Sequence, residues 1–584
     1  MNYNEQLKHS YENKINNNIQ ILQVKLNDNP KDINSIFSLA LIAKNTHQYK
    51  LSLEFLDTCI KINNFSCKLI LHKILNHILL GELETASNIV QEFIRKHSLF
   101  DFKSCKDIFV ELSKLSSNIL LDYKSANKLT SLSIEYFPNY YRGYERLALN
   151  KMYLYAEFYE GRSILRRLIT NYKEPSLIES YLLSFLRDDP QKGLKELKKL
   201  KKQTDHKDFL KTIEYKFIST LYDKDKIIKF IDKCSFINKE YAKINLGVLS
   251  NDHLDLKQIK QKYIDAEFNY NLNADFEKRV MHYYDFQCYG FVLSKKMEFE
   301  KRIMEEIRIL NYIKNAAFKK KYLSPPSKAR ILKYNMPLYR HKKQIKFMSK
   351  NNLTKFRNST VSPIFIIGLP RSGSTLVQKI ICNSYSIFCC EESSLINMFL
   401  NKTDVSDVKE SLYKLYCRNF NSLNEFPTFC DKTLPNFTYM DLIIDIFPKA
   451  KFIHSTRDIK ENIIAIFKQN FSELPWSFHL ENILEYVDQY FILMKKQKKK
   501  YKDITFEINH SMLVKNEKIE ISKLFNFLDI KNKKKPSESK EKNFFSLTAS
   551  KHQIKEVVSK KYLSKYKDYY KILDIYKKKY EWLK

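Results

Sequence analysis

Residues 363–376 read P-I-F-I-I-G-L-P-R-S-G-S-T-L, a set of residue types able to hold an anion. Ile364 to Ile367 form an apolar, β-branched run expected to be a buried parallel strand. The run breaks at Gly368 and Pro370 and passes through Arg371, Ser372, Gly373, Ser374 and Thr375 into a helical pattern starting at Leu376. A strand, a glycine loop and a helix start together present free backbone N–H groups and the positive end of a helix dipole to a phosphate. Gly373 permits close backbone approach, Arg371 adds a fixed cation, and the hydroxyls donate further bonds. The loop nearly fits the nucleotide pattern G-x-x-x-x-G-K-[ST], but Ser374 stands where that pattern needs lysine. A kinase or NTPase is therefore the weaker reading.

Three further blocks follow in order. Residues 451–458 read K-F-I-H-S-T-R-D, a second strand ending in Arg457 and leading to the helical run Ile463, Ile464, Phe467. Residues 431–436 read D-K-T-L-P-N. Residues 548–550 read T-A-S, with Gln553, Lys555 and Lys565 beyond. P-R-S-G-[ST]-T-L after a strand resembles the loop by which sulfotransferases grip the 5′-phosphosulfate of PAPS (3′-phosphoadenosine 5′-phosphosulfate). The chain resembles bacterial proteins that join tetratricopeptide repeats to a sulfotransferase domain similar to tyrosylprotein sulfotransferase. The resemblance implies that residues 371–376 bind PAPS and that Arg457 contacts its 3′-phosphate. It further implies that Lys432, with Arg371, meets the transferring sulfuryl group, and that Ser550, Gln553, Lys555 and Lys565 close over the cofactor. There are departures. Ala465 replaces a family serine, Tyr566 a tryptophan and Val557 a proline.

Sulfuryl transfer, like phosphoryl transfer, asks a protein mainly to position the reactants and neutralise charge. It also needs a base for the acceptor hydroxyl. Glu391-Glu392 follows Cys389-Cys390, and matching to the family places the base on Glu392, with Ser394 where the family has an arginine. The bland alternative is a solvated loop or a helix-start pair. His454 is a rival base, but a lone strand histidine is usually packed core. His479 and His510 read as structural. No cysteine or histidine spacing suggests a metal site.

The 584 residues suffice for two to four domains, and the formal net charge is +35. Part of that charge reflects an Asn-, Ile- and Lys-rich bias; the rest would steer PAPS and acidic acceptors. Nucleic-acid motifs are missing, and the clusters at 498–500 and 533–535 read as solvated faces. Ten cysteines over this length give no disulfide framework and suit a reducing compartment. The polar start and the lack of a long apolar run predict no signal peptide and no membrane span, hence a cytoplasmic protein.

The elements that position these residues divide in two. Residues 48–52 and 82–86 occupy matching places 34 residues apart, each followed by an apolar helix pattern. That is a tetratricopeptide-like period. Fainter copies centre on Ala126, Gly161 and Gly193. The expected architecture is an α-solenoid over residues 1–318, a basic connector over 319–360, and an α/β, P-loop-like sulfotransferase domain with a parallel sheet over 361–584. The final tyrosines, from Tyr562 to Tyr580, have the spacing of a packing stripe. The expected activity moves a sulfuryl group from PAPS to a hydroxyl, first a protein tyrosine, next a carbohydrate or small metabolite. A polypeptide or glycan is the expected acceptor, and a protein partner is expected on the repeats. An inactive repeat adaptor is the nonenzyme alternative.

Overall fold

The computed structural model describes residues 3–584 except 64–65, 101–105, 187–188, 205–206, 223, 235–237, 247–253, 273–275, 322–324, 352–361, 384–386, 402–407, 421–427, 470, 472–473 and 530–563. The chain forms two compact units. One is Met1–Asn150 with Lys319–Ile331, the other Lys151–Phe318 with Leu332–Lys584.

The first unit is a solenoid-like array of helices. Ile33–Asn45, Tyr49–Ile62, Cys67–Leu80 and Leu83–Arg95 each pack on the next. The small residues of the repeat sit at the packing seam: Ser52 and Ala86, 34 residues apart, and Ala126 of the fainter copy are all buried. Ser52 Oγ donates to the Ala40 carbonyl at 2.7 Å and accepts from Asn76 Nδ2 at 3.1 Å, so this small polar residue stitches three successive helices. Behind it Leu56, Cys59, Val90 and Phe93 are buried at helical spacing.

The second unit holds further helices and one five-stranded parallel sheet. Its strands are β1 (Ile364–Gly368), β2 (Ile387–Cys389), β3 (Thr428–Asp431), β4 (Lys451–Thr456) and β5 (Thr505–Asn509), in the order β2-β3-β1-β4-β5. All of β1 is buried, as a central strand covered on both faces must be. On one face Ile364, Ile366, Ile453 and Ile508 pack with Val377 and Ile381 of the following helix. On the other Phe365 stacks on Phe452 and meets Phe429 edge-on. The chain leaves β1 toward β2 and β3, then crosses to β4 and β5 on the other side. The crevice beyond the carboxyl ends of β1 and β4 is therefore the topological switch point, where open α/β sheets bind ligands.

Within residues 319–360, expected as connector, the helix Pro337–Asn351 packs on the sheet domain. Gln344 accepts from Leu442 N at 3.1 Å and donates to Asp441 at 3.2 Å. The final tyrosine stripe forms a 3₁₀ turn run, Lys567–Tyr576, with Tyr566, Tyr569, Leu573 and Tyr580 buried. Cys382 and Cys389 are joined by a disulfide, while Cys390 and Cys430 are free and buried. Among the described residues no helix is long and apolar enough to cross a membrane.

A buried ionic cluster ties the helices Phe276–Phe299 and Ile303–Lys321 to the sheet domain. Lys468 Nζ lies 2.7 Å from Glu306 and 3.4 Å from Glu298, and Tyr569 Oη donates to Glu306 at 2.5 Å. Burial alone would raise the Glu298 carboxyl. Lys295, Lys468 and Lys565 outweigh it and bring the carboxyl down to about 2. Removing one partner of a buried pair leaves an uncompensated charge. Lys468→Met is expected to cost ~3–5 kcal/mol of unfolding free energy, with Lys468→Arg losing much less. Urea unfolding of the full chain checks this, and a loss below ~1 kcal/mol, the scale of an exposed pair, contradicts it.

Candidate functional site

The loop after β1 wraps the switch point. Gly368 has φ +143°, and a Cβ there would lie 2.5 Å from the Ser455 carbonyl of β4, so only glycine fits. Gly373 has φ +94°, and its Cβ would lie 2.5 Å from His510 Cδ2. Between them Arg371 takes the left-handed conformation at φ 66°, a conformation costing ~1–3 kcal/mol for a side-chain residue. The helix Ser374–Asn383 then starts, with Leu376 N donating to the Gly373 carbonyl at 2.9 Å. Ser372, Ser374 and Thr375 are buried in the loop and first turn.

The end of β4 holds the loop from the other side. Ser372 Oγ and Ser455 Oγ are 3.2 Å apart, and Ser455 Oγ also reaches the Ser372 carbonyl at 3.2 Å. Asn462 Nδ2 donates to the Pro370 carbonyl at 2.6 Å. Arg457 reaches the Arg371 carbonyl at 3.5 Å and pairs with Glu461 at 2.9 Å. Glu461 also accepts from Tyr566 N at 2.8 Å, which seats the C-terminal run against the helix Ile459–Phe467. Ala465 is buried in that helix. The structure thus brings residues 371–376 and Arg457 together at one crevice. Lys565 instead lies 3.5 Å from Glu298. Ser550, Gln553 and Lys555 fall outside the described residues.

The carboxylate and lysine blocks meet at the ends of β2 and β3. Asp431 is fully buried and accepts from Ser393 Oγ and Tyr416 Oη at 2.6 Å each and from Thr433 N at 2.7 Å. Two backbone-level ties join the loops: Lys432 N donates to the Glu391 carbonyl at 2.9 Å, and Ser394 N to Thr433 Oγ1 at 2.9 Å. Glu391 and Ser394 are held left-handed, at φ 51° and 54°. So fixed, the Lys432 side chain is fully buried, and its Nζ pairs with Glu392 Oε1 at 2.6 Å, while the Glu392 side chain is 47% exposed. Glu392 therefore reaches solvent while its ion pair with Lys432 fixes its position. Glu391 points inward. Its carboxyl is pushed up to about 8, first by burial and then by Glu392, with Lys432 opposing.

The histidines separate clearly. His454 is buried on β4, with Nε2 2.5 Å from Tyr490 Oη and Nδ1 3.4 Å from Glu507. That is the environment of a packed core histidine. His479 precedes the helix Leu480–Lys500 as its N-cap residue. His510 is different. It follows β5 directly and lies against Gly373, a placement no motif announces. The one available signal is that a parallel strand ending at Asn509 delivers its next residue to the ligand edge of the sheet.

Two cations, backbone N–H groups at a helix start and buried hydroxyls suit a phosphate ester. Among the described residues no group of three His, Cys, Asp or Glu side chains is placed to share a metal ion. The Sulfotransferase family model matches residues 363–415 and 401–534, so the C-terminal region carries a sulfotransferase family domain. A protein of Aquifex aeolicus (strain VF5), described as an uncharacterized protein, is 24% identical over 241 residues, 36% of this chain and 31% of its own length, so the match spans under a third of that relative. A chain of the solved structure of Naa15/Naa10 bound to HypK-THB overlaps 90% of this chain and 80% of its own at 12% identity, with a TM-score of 0.25, too loose an overlap to carry an argument.

The Glu391 carboxyl gives a pH test. Its folded value lies above the ordinary 4.5, so the folded protein keeps a proton that the unfolded chain loses between those values. Stability from this group is complete below the unfolded value and is lost as pH rises toward about 8. Glu391→Gln removes the titration. The melting temperature of the wild type is expected to fall relative to Glu391→Gln between about pH 5 and 8. A constant difference over that range contradicts the buried, protonated assignment.

Proposed function

We propose that the protein is a PAPS-dependent sulfotransferase, moving a sulfuryl group to an acceptor hydroxyl, most favourably that of a protein tyrosine. The carrying observation is the Lys432–Glu392 pair, 2.6 Å apart with one partner buried and the other open, beside a phosphate loop. PAPS would supply the activated sulfuryl group. Arg371 and the backbone and hydroxyls of Ser372, Gly373, Ser374, Thr375 and Leu376 hold its 5′ end, and Arg457 its 3′-phosphate. Ser550, Gln553, Lys555 and Lys565 are proposed to close over it. Glu392 accepts the proton of the acceptor hydroxyl as its oxygen attacks. Lys432 orients Glu392 in the resting site and balances negative charge near the sulfuryl oxygens during transfer. Glu391 stays protonated and serves the geometry of the loop.

A tyrosine acceptor is favoured because the Glu391-Glu392 and Asp431-Lys432 blocks resemble the tyrosylprotein branch, and a helical repeat region suits a polypeptide. Ser394, in place of the arginine of that branch, leaves carbohydrate and small-metabolite hydroxyls as the next acceptors. The domain limits proposed are repeats over 1–318, a connector over 319–360 and the transferase over 361–584, in the cytoplasm. A kinase or NTPase would require Mg-dependent ATP hydrolysis.

Cofactor choice is read by thermal shift. If Arg457 answers a 3′-phosphate as proposed, adenosine 3′,5′-bisphosphate should stabilise the protein, by about 2.7 kcal/mol at a hundred times its Kd, and ADP much less. Equal shifts would remove the 3′-phosphate role of Arg457. Arg371→Ala and Gly373→Val should abolish the shift.

The chemical step is read by single turnover. Glu392→Gln keeps the shape and removes the proton acceptor, so the rate should fall ~10²–10⁴-fold. Lys432→Ala should lose ~10²–10³-fold, and Glu391→Gln much less than either. Near-normal turnover by Glu392→Gln with an inactive Glu391→Gln would move the base by one residue.

A further inference from the structure

His510 is absorbed by none of the roles above, yet it lies against the loop after β1. Its ring packs on Gly373, where an added Cβ would sit 2.5 Å from Cδ2 and 3.1 Å from Cγ. Its Nδ1 is buried and has no hydrogen-bond partner among the described residues. A buried polar atom without a partner costs free energy, and this one belongs to a ring packed against the loop after β1. The charged groups acting on it come from two sides: Arg371 from the loop after β1 and Arg457 from the end of β4. Glu461 is paired with Arg457. Glu507, on the preceding strand, is engaged by His454 and Lys498. On its own element Asn509 Oδ1 is occupied by Ser511 N and Met512 N.

We propose that His510 is a third anion ligand of this crevice and that it takes up one proton from solvent when a phosphate monoester binds beside Arg371 and Arg457. The proposal rests on the phosphate reading of the crevice given above. Without an anion the ring is neutral, because burial first and then Arg457 and Arg371 push it down to about 4. A dianion beside the ring reverses the second effect by offsetting the arginine field, and gives the protonated ring a charge-assisted partner. No ligand bond breaks; the proton moves from water to imidazole. Binding and protonation are then linked, and affinity falls as pH rises through the value of the bound ring.

The test is isothermal titration of the full chain with adenosine 3′,5′-bisphosphate at several pH values, in buffers of different ionisation enthalpy. Each buffer pair gives the number of protons exchanged. The wild type should take up a larger fraction of a proton than His510→Asn, with weaker binding by the variant. The wild-type affinity should fall by up to about tenfold per pH unit as pH rises toward the bound-ring value and level off above it, while the variant stays nearly flat. Equal proton exchange by wild type and variant overturns the proposal and leaves the phosphate site standing. Absence of binding by the wild type overturns the phosphate reading itself. Should His510→Asn not fold, zero proton uptake by the wild type throughout pH 6–8 is the overturning result.

Discussion

A lysine with no solvent exposure, paired at 2.6 Å with a carboxylate that reaches solvent, is the constraint around which the site is built. Burying an ammonium group costs several kcal/mol unless partners and geometry are fixed in advance. Much of the surrounding detail follows. Asp431 spends its carboxylate on Ser393, Tyr416 and Thr433, and so rigidifies the turn that launches Lys432. The Glu391 carbonyl receives Lys432 N, and the left-handed backbone at Glu391 and Ser394 turns one glutamate inward and the next outward. Adjacent carboxyls thereby acquire opposite environments, one dry and protonated, the other exposed and ion-paired.

The arginines beyond the ends of β1 and β4 obey the same logic with opposite charge. Arg371 and Arg457 approach each other across β1 and β4, which like charges resist. Glu461 on Arg457 and the Arg371 carbonyl offset that repulsion. The strand order makes this meeting possible, since the chain leaves β1 and β4 in opposite directions and opens a crevice between them.

Much of this was legible in the sequence. The phosphate loop, β1 and β4 are announced by apolar runs that end in glycine or in Arg-Asp, and the parallel sheet and helical array follow from the periodicities. Pairing of Glu392 with Lys432 was not legible, because 40 residues separate them and only strand order brings the ends of β2 and β3 together. His510 was missed because a lone histidine after a short strand carries no pattern. The inward turn of Glu391 was not legible; its burial depends on a left-handed φ that its residue type does not signal. The packing of the helix Pro337–Asn351 on the sheet domain was hidden by its lysines, since Gln344 and His341 make the buried contacts on one narrow face.

The most direct test of sulfuryl transfer is a single turnover of the full chain with sulfur-labelled PAPS and a panel of tyrosine peptides, glycans and small hydroxyl compounds. The account predicts label on an acceptor oxygen, tyrosine first, with adenosine 3′,5′-bisphosphate formed in equal amount. PAPS that binds and stays intact with every acceptor, or Mg-dependent cleavage of ATP in its place, would contradict it.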